Sequence, residues 1–376
     1  MNENLALAVL SGIMDWPDET AREEFGWLRL MARLKYDGYR DFEAGAGFLE
    51  SLAAWLQQFE AADRQEAYQF IRRRLIFVSA AEKRRLVEQF FPRIIHEQII
   101  EIVAAALKTP PYLLLAHPQA KEAIERLRRE TLIMGLSDGA EIDVVRHANV
   151  GRLSNEQIVP MTQIDKNKWE DLRNELRKGV SDQEALFKLV FLVDDFTASG
   201  NSFLTWKEKE ERWSGKLIRF QKSVSDARGA GVEVLAPDWR LSIHHYISSA
   251  QADKNIRGLL KKAGDTLRED HWTSVTNVTS GLLLPDYIQV TEEADAAFVA
   301  LAHRYYNSRI QTKHTDTGGV ERIALGYAGC ALPVVLEHNT PNNSVALLWA
   351  ETGEIDKGDA PAHAMRPLFR RRQRHI

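Results

Sequence analysis

The feature that most constrains the fold is an apolar run, Lys188 to Val193, that ends abruptly in the acidic residues Asp194 and Asp195. A continuous apolar run of strand length, without polar alternation, is typical of a strand buried on both faces in a parallel sheet. In open α/β sheets, ligands bind at the carboxyl ends of the strands, where the loops that leave the sheet surround a crevice. We therefore expect both carboxylates to lie at a ligand-binding edge.

A loop of small residues follows the acidic pair after one aromatic residue. Its members are Thr197, Ala198, Ser199, Gly200, Asn201 and Ser202. Backbone amides of such a loop converge readily on an anion, and the dipole of a following helix would favour the same anion. Gly200 would let the backbone approach that anion closely. The pattern predicts a phosphate site; the alternative is that the acids only end a strand and the loop is an ordinary turn.

Short apolar or alternating runs, separated by helices and turns, fill the rest of the C-terminal part. After a helix predicted at Gln119–Glu130, strands are expected at Glu141–Val145, Leu189–Val193, Val232–Leu235, Leu241–Ile247, Leu332–Leu336 and Ser344–Trp349. Strands that alternate with helices indicate a mostly parallel sheet covered by helices on both faces. We therefore predict an α/β fold for this part of the chain.

The N-terminal part, from Asn2 to about Lys108, has the pattern of helices throughout. Apolar residues recur there at helical spacing, as in a long helix predicted at Ala80–Leu107. Pro110-Pro111 forbids continuation of that helix, because neither residue offers an amide proton. We predict an all-α domain at residues 1–110, a linker and helix at 111–131, and the α/β domain at 132–376.

The composition excludes several classes of protein. A chain of 376 residues exceeds the usual size of a single core, which is consistent with two folding units or with one core and a large extension. Cys330 is the only cysteine, so the chain has no intramolecular disulfide and no cysteine cluster for zinc or iron–sulfur. A net charge of −4 provides no overall basic field for nucleic acid. The apolar run Leu5–Leu10 lacks the basic residues of a secretory leader, and no stretch reaches the roughly 20 apolar residues of a membrane span. We expect a cytoplasmic protein without membrane contact.

The motif around the acidic pair resembles the phosphoribosyl-pyrophosphate signature of type I phosphoribosyltransferases: an apolar strand, two acids, an apolar residue, and a loop with Ser or Thr, Gly, and Ser or Thr. The resemblance implies that Asp194 and Asp195 are the catalytic acids and bind the ribose hydroxyls, directly or through magnesium. It also implies that residues 197–202 hold the 5′-phosphate of phosphoribosyl pyrophosphate or a related nucleotide. The chemistry implied is substitution or cleavage at the anomeric carbon of the ribose.

Five segments resemble the divergent phosphoribosyltransferase-like domain of prokaryotic conflict systems, from about Leu132 to the C-terminus. They are Gly135-Leu-Ser-Asp-Gly139, Leu153-Ser-Asn-Glu-Gln157, Asp194-Asp-Phe-Thr-Ala-Ser-Gly200, His338-Asn-Thr-Pro-Asn-Asn343 and Arg366-Pro-Leu-Phe-Arg370. This resemblance implies a component, or the effector, of an anti-phage defence system, with a reverse transcriptase or an ATPase among its partner proteins.

The flexible loop and the hood of the metabolic phosphoribosyltransferases, which choose the accepting nucleophile, have no match in this sequence. The motif alone therefore leaves open whether the chain is an enzyme. One alternative is a non-catalytic sensor that binds a nucleotide in the same pocket. Another is a nucleic-acid-binding adaptor that uses the basic tail Arg366–Arg374. The structural alternative is that Arg370–Arg374 form a solvated terminus. In either case we expect Pro367-Leu368-Phe369 to dock on the domain.

Three further groups have both a functional and a structural interpretation. Arg146 follows the predicted strand Glu141–Val145 and would meet a pyrophosphate from its end; a solvated arginine is the alternative. His244 and His245 would point to opposite faces of a strand, which makes a shared metal ion difficult. The turn His338–Asn343 either lines the ligand cleft or serves only the backbone, since asparagine tolerates left-handed geometry.

Overall fold

The computed structural model describes residues 3–42, 47–266, 276–313, 315, 318–352 and 364–371. The fold is α/β, with a mostly parallel central sheet flanked by helices and a helical N-terminal region, as the sequence predicted. The chain forms two compact units. Unit 1 combines Met1–Lys83 with Asp286–Ile376, and unit 2 is the continuous segment Arg84–Pro285.

The helices and strands of the described residues follow one another along the chain as numbered. The α-helices are α1 (Glu3–Met14), α2 (Asp18–Leu34), α3 (Phe48–Leu56), α4 (Ala61–Arg73), α5 (Ala80–Phe90), α6 (His96–Ala106), α7 (Ala120–Arg129), α8 (Ile142–Ala148), α9 (Lys166–Val180), α10 (Lys216–Gly229), α11 (Ala250–Thr266), α12 (Glu292–Arg304) and α13 (Ala346–Trp349). The strands are β1 (Ile76–Val78), β2 (Thr131–Gly135), β3 (Ile158–Val159), β4 (Phe187–Thr197), β5 (Thr205–Lys207), β6 (Arg212–Ser214), β7 (Leu235–Ser249), β8 (Thr276–Leu284) and β9 (Val334–Leu336). None of the helices in these ranges is both long and apolar enough to cross a bilayer.

In unit 2, β4 lies at the centre of a five-stranded sheet of order β3-β2-β4-β7-β8, in which every strand pair is parallel. Alternate residues of β4 pack on opposite faces. Leu192 belongs to the core that it shares with Trp169 of α9 and Phe220 of α10. The ring of Phe191 contacts that of Phe90 in α5, with centroids 5.6 Å apart. Burial on both faces explains why the centre of this strand is continuously apolar.

The helix predicted at Ala80–Leu107 is interrupted at Pro92. A π-helical turn, Phe91–Ile95, separates α5 from α6. Proline inside a helix removes an amide donor, and its ring collides with a carbonyl of the preceding turn. The wider π turn accommodates both effects.

Two segments predicted as strands are helical. Glu141–Val145 falls in α8, which begins after Glu141 adopts a left-handed φ of 50°. Ser344–Trp349 ends in the single turn α13. An apolar run of this length does not distinguish a strand from a buried helical turn.

The predicted strand Leu241–Ile247 falls within β7, whereas of the predicted strand Val232–Leu235 only Leu235 belongs to β7. This strand pairs with β4 at Leu235 and again from Arg240 onward, so the residues between them bulge out of the ladder. A bulge inserts unpaired residues into a strand without ending it. It explains why the sequence shows two separate apolar runs for one strand.

Unit 1 joins the N-terminal helices to the C-terminal segment. β1 and β9 pair in parallel. The ring of Phe369 lies 5.6 to 6.0 Å, centroid to centroid, from the rings of Tyr36, Phe48 and Phe77. Leu368 and Phe369 are buried, so the predicted docking of this tail segment is confirmed.

Along the chain, the two units divide after Lys83 and after Pro285. The domain boundaries at residues 110 and 132 stay a prediction. Pro110-Pro111 does end a helix, and a short 3₁₀ helix begins at Pro111. The break is not a boundary between cores, because α6 and α7 pack on each other across it.

Candidate functional site

The acidic pair lies close to the carboxyl end of β4. The strand continues two residues beyond it, to Thr197. Val193 pairs with Gly135, the last residue of β2, and Asp194 pairs with His245 of β7. Because successive residues of a strand face opposite sides, the two carboxylates lie on opposite faces of the sheet near one edge. They consequently have different neighbours.

Asp194 is buried, with 3 % of its surface exposed, and both of its carboxylate oxygens accept hydrogen bonds. The Ser137 hydroxyl donates to Oδ1, and the Lys216 ammonium donates to Oδ2. Burial raises the pKa of Asp194 above its ordinary value, and the charge of Lys216 opposes that rise. The oxygens of Asp194 thus serve contacts within the protein.

Asp195 is partly exposed and lies beside the loop that follows β2. Gly139 of that loop is so close that a Cβ there would stand 2.5 Å from Asp195 Oδ2. The same loop is tied to β7, because the Tyr246 hydroxyl donates to Ala140 O at 3.0 Å. Of the two acids, Asp195 is the one with surface exposed to a ligand.

The loop of residues 197–202 is held by its carbonyl groups. Ser249 Oγ, at the end of β7, donates to Ala198 O at 2.6 Å. Asn255 Nδ2, on α11, donates to Ser199 O at 2.6 Å. Side chains of two elements therefore fix the orientation of two successive peptide groups.

The amides of this loop point away from α11. In a planar trans peptide the N–H lies opposite the C=O, so fixing the carbonyls directs the amides of Ser199 and Gly200 to the other side. Within the described ranges, no residue accepts a hydrogen bond from these two amides or from the amide of Ser202. The loop thus presents N–H donors suited to an anion.

Gly200 has a left-handed φ of 78°, a conformation that glycine adopts without steric cost. Its close neighbours belong to α11: a Cβ at this position would lie 2.9 Å from Ile256 Cγ1 and 3.3 Å from Ala252 O. The sequence suggested close approach of the backbone to a ligand. The structure shows close approach to a helix, so a larger residue here would disturb the loop whatever the ligand.

The expectation of a helix directly after the loop is wrong. A hairpin of β5 and β6 comes first, and only then does α10 begin. The helix nevertheless returns to the loop, because the amides of Lys216 and Leu217 donate to Ser202 O and Phe203 O, each at 3.1 Å. These first amides of α10 are satisfied by loop carbonyls and are not directed at an anion.

The site therefore combines an acidic pair near the end of a central parallel strand with a following loop whose amides are unsatisfied. The model of a protein family described as PRTase-CE matches residues 52–371. The chain belongs to the PRTase-CE family. This is a phosphoribosyltransferase-like domain family, as the motif predicted, and the match includes residues of both units. No curated protein and no solved structure matches the chain.

Five residues of the PRTase-CE site were missed from the sequence: Ser137, Gly139, Lys216, Ser249 and Asn255. The first two lie in the segment Gly135–Gly139, where the family resemblance was an available signal. The other three had no such signal, because a lysine at a helix start, a serine at a strand end or an asparagine within a helix is unremarkable until the fold brings it to the motif.

Arg146 lies on α8 and not after a strand. Its Nη2 donates to Ile158 O at 2.7 Å, and its Nη1 is 3.5 Å from Asp143 Oδ1. The guanidinium thus joins α8 to β3. Binding of a pyrophosphate by Arg146 stays a prediction.

The two histidines of β7 point to opposite faces, as predicted. The ring of His244 stacks on Phe90 with centroids 4.5 Å apart, whereas that of His245 lies 6.1 Å from Phe203. Burial lowers the pKa of both to about 3, so both are neutral at physiological pH. Across the described part of the chain, no group of three or more His, Cys, Asp or Glu side chains is arranged to hold a metal ion.

The turn His338–Asn343 belongs to unit 1. His338 Nδ1 lies 3.0 Å from Lys83 Nζ, beside the buried carboxylate of Glu337. Burial raises the pKa of Glu337, but hydrogen bonds with His338 and Lys83 outweigh it and lower the pKa to about 2. That the turn lines a ligand cleft stays a prediction.

The described part of the basic tail contacts unit 1. Arg370 Nε lies 3.0 Å from Glu351 Oε2, and the Arg371 guanidinium lies 5.4 Å from the ring centroid of Trp349. The rest of the tail, residues 372–376, is outside the described residues. Contact with nucleic acid through it stays a prediction.

A cavity of about 310 Å³ also occurs in unit 2, lined by Arg129, Gln157, Leu176 and Phe187 among others. Phe187 is the first residue of β4, so this cavity lies at the edge of the sheet opposite the acidic pair. It contains no residue of the motif.

Proposed function

We propose that this PRTase-CE domain binds phosphoribosyl pyrophosphate, or a related nucleotide, at the acidic pair and the loop of unit 2. The amides of Ser199, Gly200 and Ser202 would donate to the 5′-phosphate, and Asp195 would accept from the ribose hydroxyls. The observation that carries the proposal is the loop itself. The carbonyls of Ala198 and Ser199 are held by Ser249 and Asn255, which turns the amides of Ser199 and Gly200 away from these side chains, and no acceptor for these amides occurs among the described residues.

The proposed chemistry is substitution or cleavage at the anomeric carbon of the ribose. The bond from this carbon to its leaving group breaks, a nucleophile from solvent or a second substrate forms the new bond, and the leaving group keeps the electron pair. Asp195 would orient the sugar, and the loop amides would hold the phosphate. Positioning and charge stabilisation account for the rate in such a site.

Magnesium fits this site only in part. Asp195 has exposed surface and a carboxylate, the ligand type that magnesium prefers. Asp194 does not fit as a direct ligand, because its oxygens already accept from a hydroxyl and an ammonium. We propose that magnesium would be held by Asp195 together with phosphate oxygens of the ligand, where it would neutralise their charge.

We further propose that the protein acts in the cytoplasm as a component, or the effector, of an anti-phage defence system, with proteins such as a reverse transcriptase or an ATPase as partners. The support is the resemblance of five sequence segments to domains of conflict systems. Genes for such proteins beside this one would support the proposal, whereas a purine or pyrimidine operon would contradict it.

One observation favours a second candidate function, a non-catalytic nucleotide sensor. Asp194 is neutralised by Lys216, and it is therefore unsuited to act as a general base. In a sensor, the same pocket would bind the nucleotide and change the state of the protein without turnover.

Calorimetry with phosphoribosyl pyrophosphate, followed by mass spectrometry of the mixture, tests both candidates. Wild type should bind, and Asp195→Ala should not. Products from wild type alone would establish the enzyme. Binding without products, even with the genomic neighbours present, would establish the sensor. Equal binding by wild type and Asp195→Ala would overturn the assignment of the site.

A further inference from the structure

We propose that Lys216 is a built-in cation, which supplies to Asp194 the positive charge that a paired acid would otherwise take from a divalent metal ion. The inference rests on the site of the proposed function, but it concerns metal binding and not the nucleotide. It assigns the two acids separate tasks: Asp194 and Lys216 form a fixed internal pair, and Asp195 alone meets the ligand.

The first support is the position of the ammonium. Lys216 Nζ donates a hydrogen bond to Asp194 Oδ2, and the Ser137 hydroxyl donates one to Asp194 Oδ1. The side chains of Asp194 and Lys216 are 4 % and 18 % exposed. A metal ion on Asp194 would lie beside an ammonium in a poorly solvated space. Repulsion between the two cations would be strong there.

The second support is the way in which Lys216 is held. It is the first residue of α10, and its own amide donates to Ser202 O of the phosphate-binding loop. Gly215, immediately before it, has a φ of 125°, and a Cβ there would lie 2.4 Å from Phe203 O. The backbone that carries the ammonium is thus packed on the loop, so the charge and the loop amides form one rigid arrangement.

The charges of the site agree with this division. Asp194, Asp195 and Lys216 together carry one net negative charge, and a carboxylate such as that of Asp195 is a strong acceptor for a ribose hydroxyl. Two carboxylates without the lysine would form a doubly negative pocket, which attracts a divalent cation. The charge of Lys216 therefore determines whether the site binds a divalent cation or a ribose hydroxyl.

The test measures Mn²⁺ by electron paramagnetic resonance in wild type, Lys216→Met, Asp194→Asn and the double variant. Methionine keeps the unbranched shape and most of the length of the side chain and removes its charge. Wild type and the double variant, whose net charge at the site is the same, should bind Mn²⁺ equally weakly, and Asp194→Asn, which leaves the ammonium unpaired, should bind it no more tightly. Lys216→Met should bind it about tenfold more tightly, because the competing charge is gone, and the double variant should lose this gain.

Two results would overturn the proposal. One is weaker Mn²⁺ binding in the double variant than in wild type at equal net charge, because the metal would then use Asp194 despite the lysine. The other is a folded Lys216→Met, by circular dichroism, with wild-type affinity. If Lys216→Met does not fold, the comparison of wild type with the double variant still decides. None of these measurements contains a nucleotide, so they stand even where phosphoribosyl pyrophosphate does not bind.

Discussion

Asp194 and Asp195 are adjacent in sequence, but their surroundings give them different physical roles. Asp194 is buried against Lys216 and Ser137, whereas Asp195 is partly exposed beside Gly139. Removing one partner of a buried ion pair is costly because it leaves an uncompensated charge. We expect the first acid to matter for stability and the second for ligand binding.

The first prediction compares the two asparagine variants. Asp195→Asn should abolish binding of phosphoribosyl pyrophosphate and change the free energy of unfolding by less than about 0.5 kcal/mol. Asp194→Asn should lower the free energy of unfolding by about 2–3 kcal/mol, because Lys216 loses its charged partner. Urea denaturation and calorimetry measure the two effects. Equal stability of the variants would contradict the division of roles.

The second prediction uses Gly139 as a steric probe of the site. A Cβ at this position would stand 2.5 Å from Asp195 Oδ2, so Gly139→Ala should displace the carboxylate and weaken ligand binding by about tenfold or more. The matched control is Gly258→Ala on α11, where no atom lies within 4 Å of the new Cβ. Calorimetry on both variants is the measurement, and similar losses in both would refute the contact.

The third prediction concerns pH. His245 has a pKa of about 3 in the folded protein and about 6.5 when unfolded, so only the unfolded state takes up its proton between these values. Its contribution to stability is therefore complete above pH 6.5 and is lost as the pH falls. His245→Leu should reduce the fall in unfolding free energy between pH 6 and 5 by about 1.4 kcal/mol. Urea denaturation of wild type and variant at both pH values measures this change. If the unfolding free energy falls by the same amount in both proteins, His245 is accessible to protons in the folded state and the prediction is wrong.

At the scale of elements, the hairpin of β5 and β6 separates the loop from α10, and Gly215 brings the helix back to the loop. The fourth prediction is that Gly215→Ala lowers the free energy of unfolding by roughly 1–3 kcal/mol and weakens ligand binding. The strain comes from a φ of 125° and from a Cβ placed 2.4 Å from Phe203 O.

Gly231→Ala is the control for this variant. Its φ of 80° is also left-handed, but nothing lies within 4 Å of the added Cβ. It should lose stability and keep ligand binding, which thermal denaturation and calorimetry together would show. Loss of ligand binding in both variants would show that ligand binding does not depend specifically on the packing of α10 on the loop.

Some elements of the site were predictable from the sequence and others were not. β4 with its acids and loop was predictable, because the whole motif is contiguous and burial on both faces leaves a clear apolar signature. The helix α8 was not, since a run of five residues has no decisive period. Lys216 and Asn255 were not predictable as parts of the site, because only the packing of α10 and α11 brings them to the loop.

At the scale of the whole molecule, the acidic pair, its loop and every residue that we assign to the site lie within unit 2. The fifth prediction is that residues 84–285, expressed alone, fold cooperatively and bind phosphoribosyl pyrophosphate, as thermal circular dichroism and calorimetry would measure. Residues 111–376 should fail to fold, because they lack Tyr36, Phe48 and Phe77, on which Phe369 packs. A folded 111–376 fragment would support the boundary at residue 110 that the sequence suggested.

The pairing of β1 with β9 has a consequence for synthesis. A ribosome releases α1 to α4 and then all of unit 2 before it makes β9, and domains generally fold as units while the chain emerges. The nascent chain would therefore carry the complete loop of residues 197–202 while Trp55 and Phe70, buried in the finished protein, still lack their partners Leu347 and Phe298. During that interval the early helices would depend on chaperones, and a translational pause after Pro285 would prolong it.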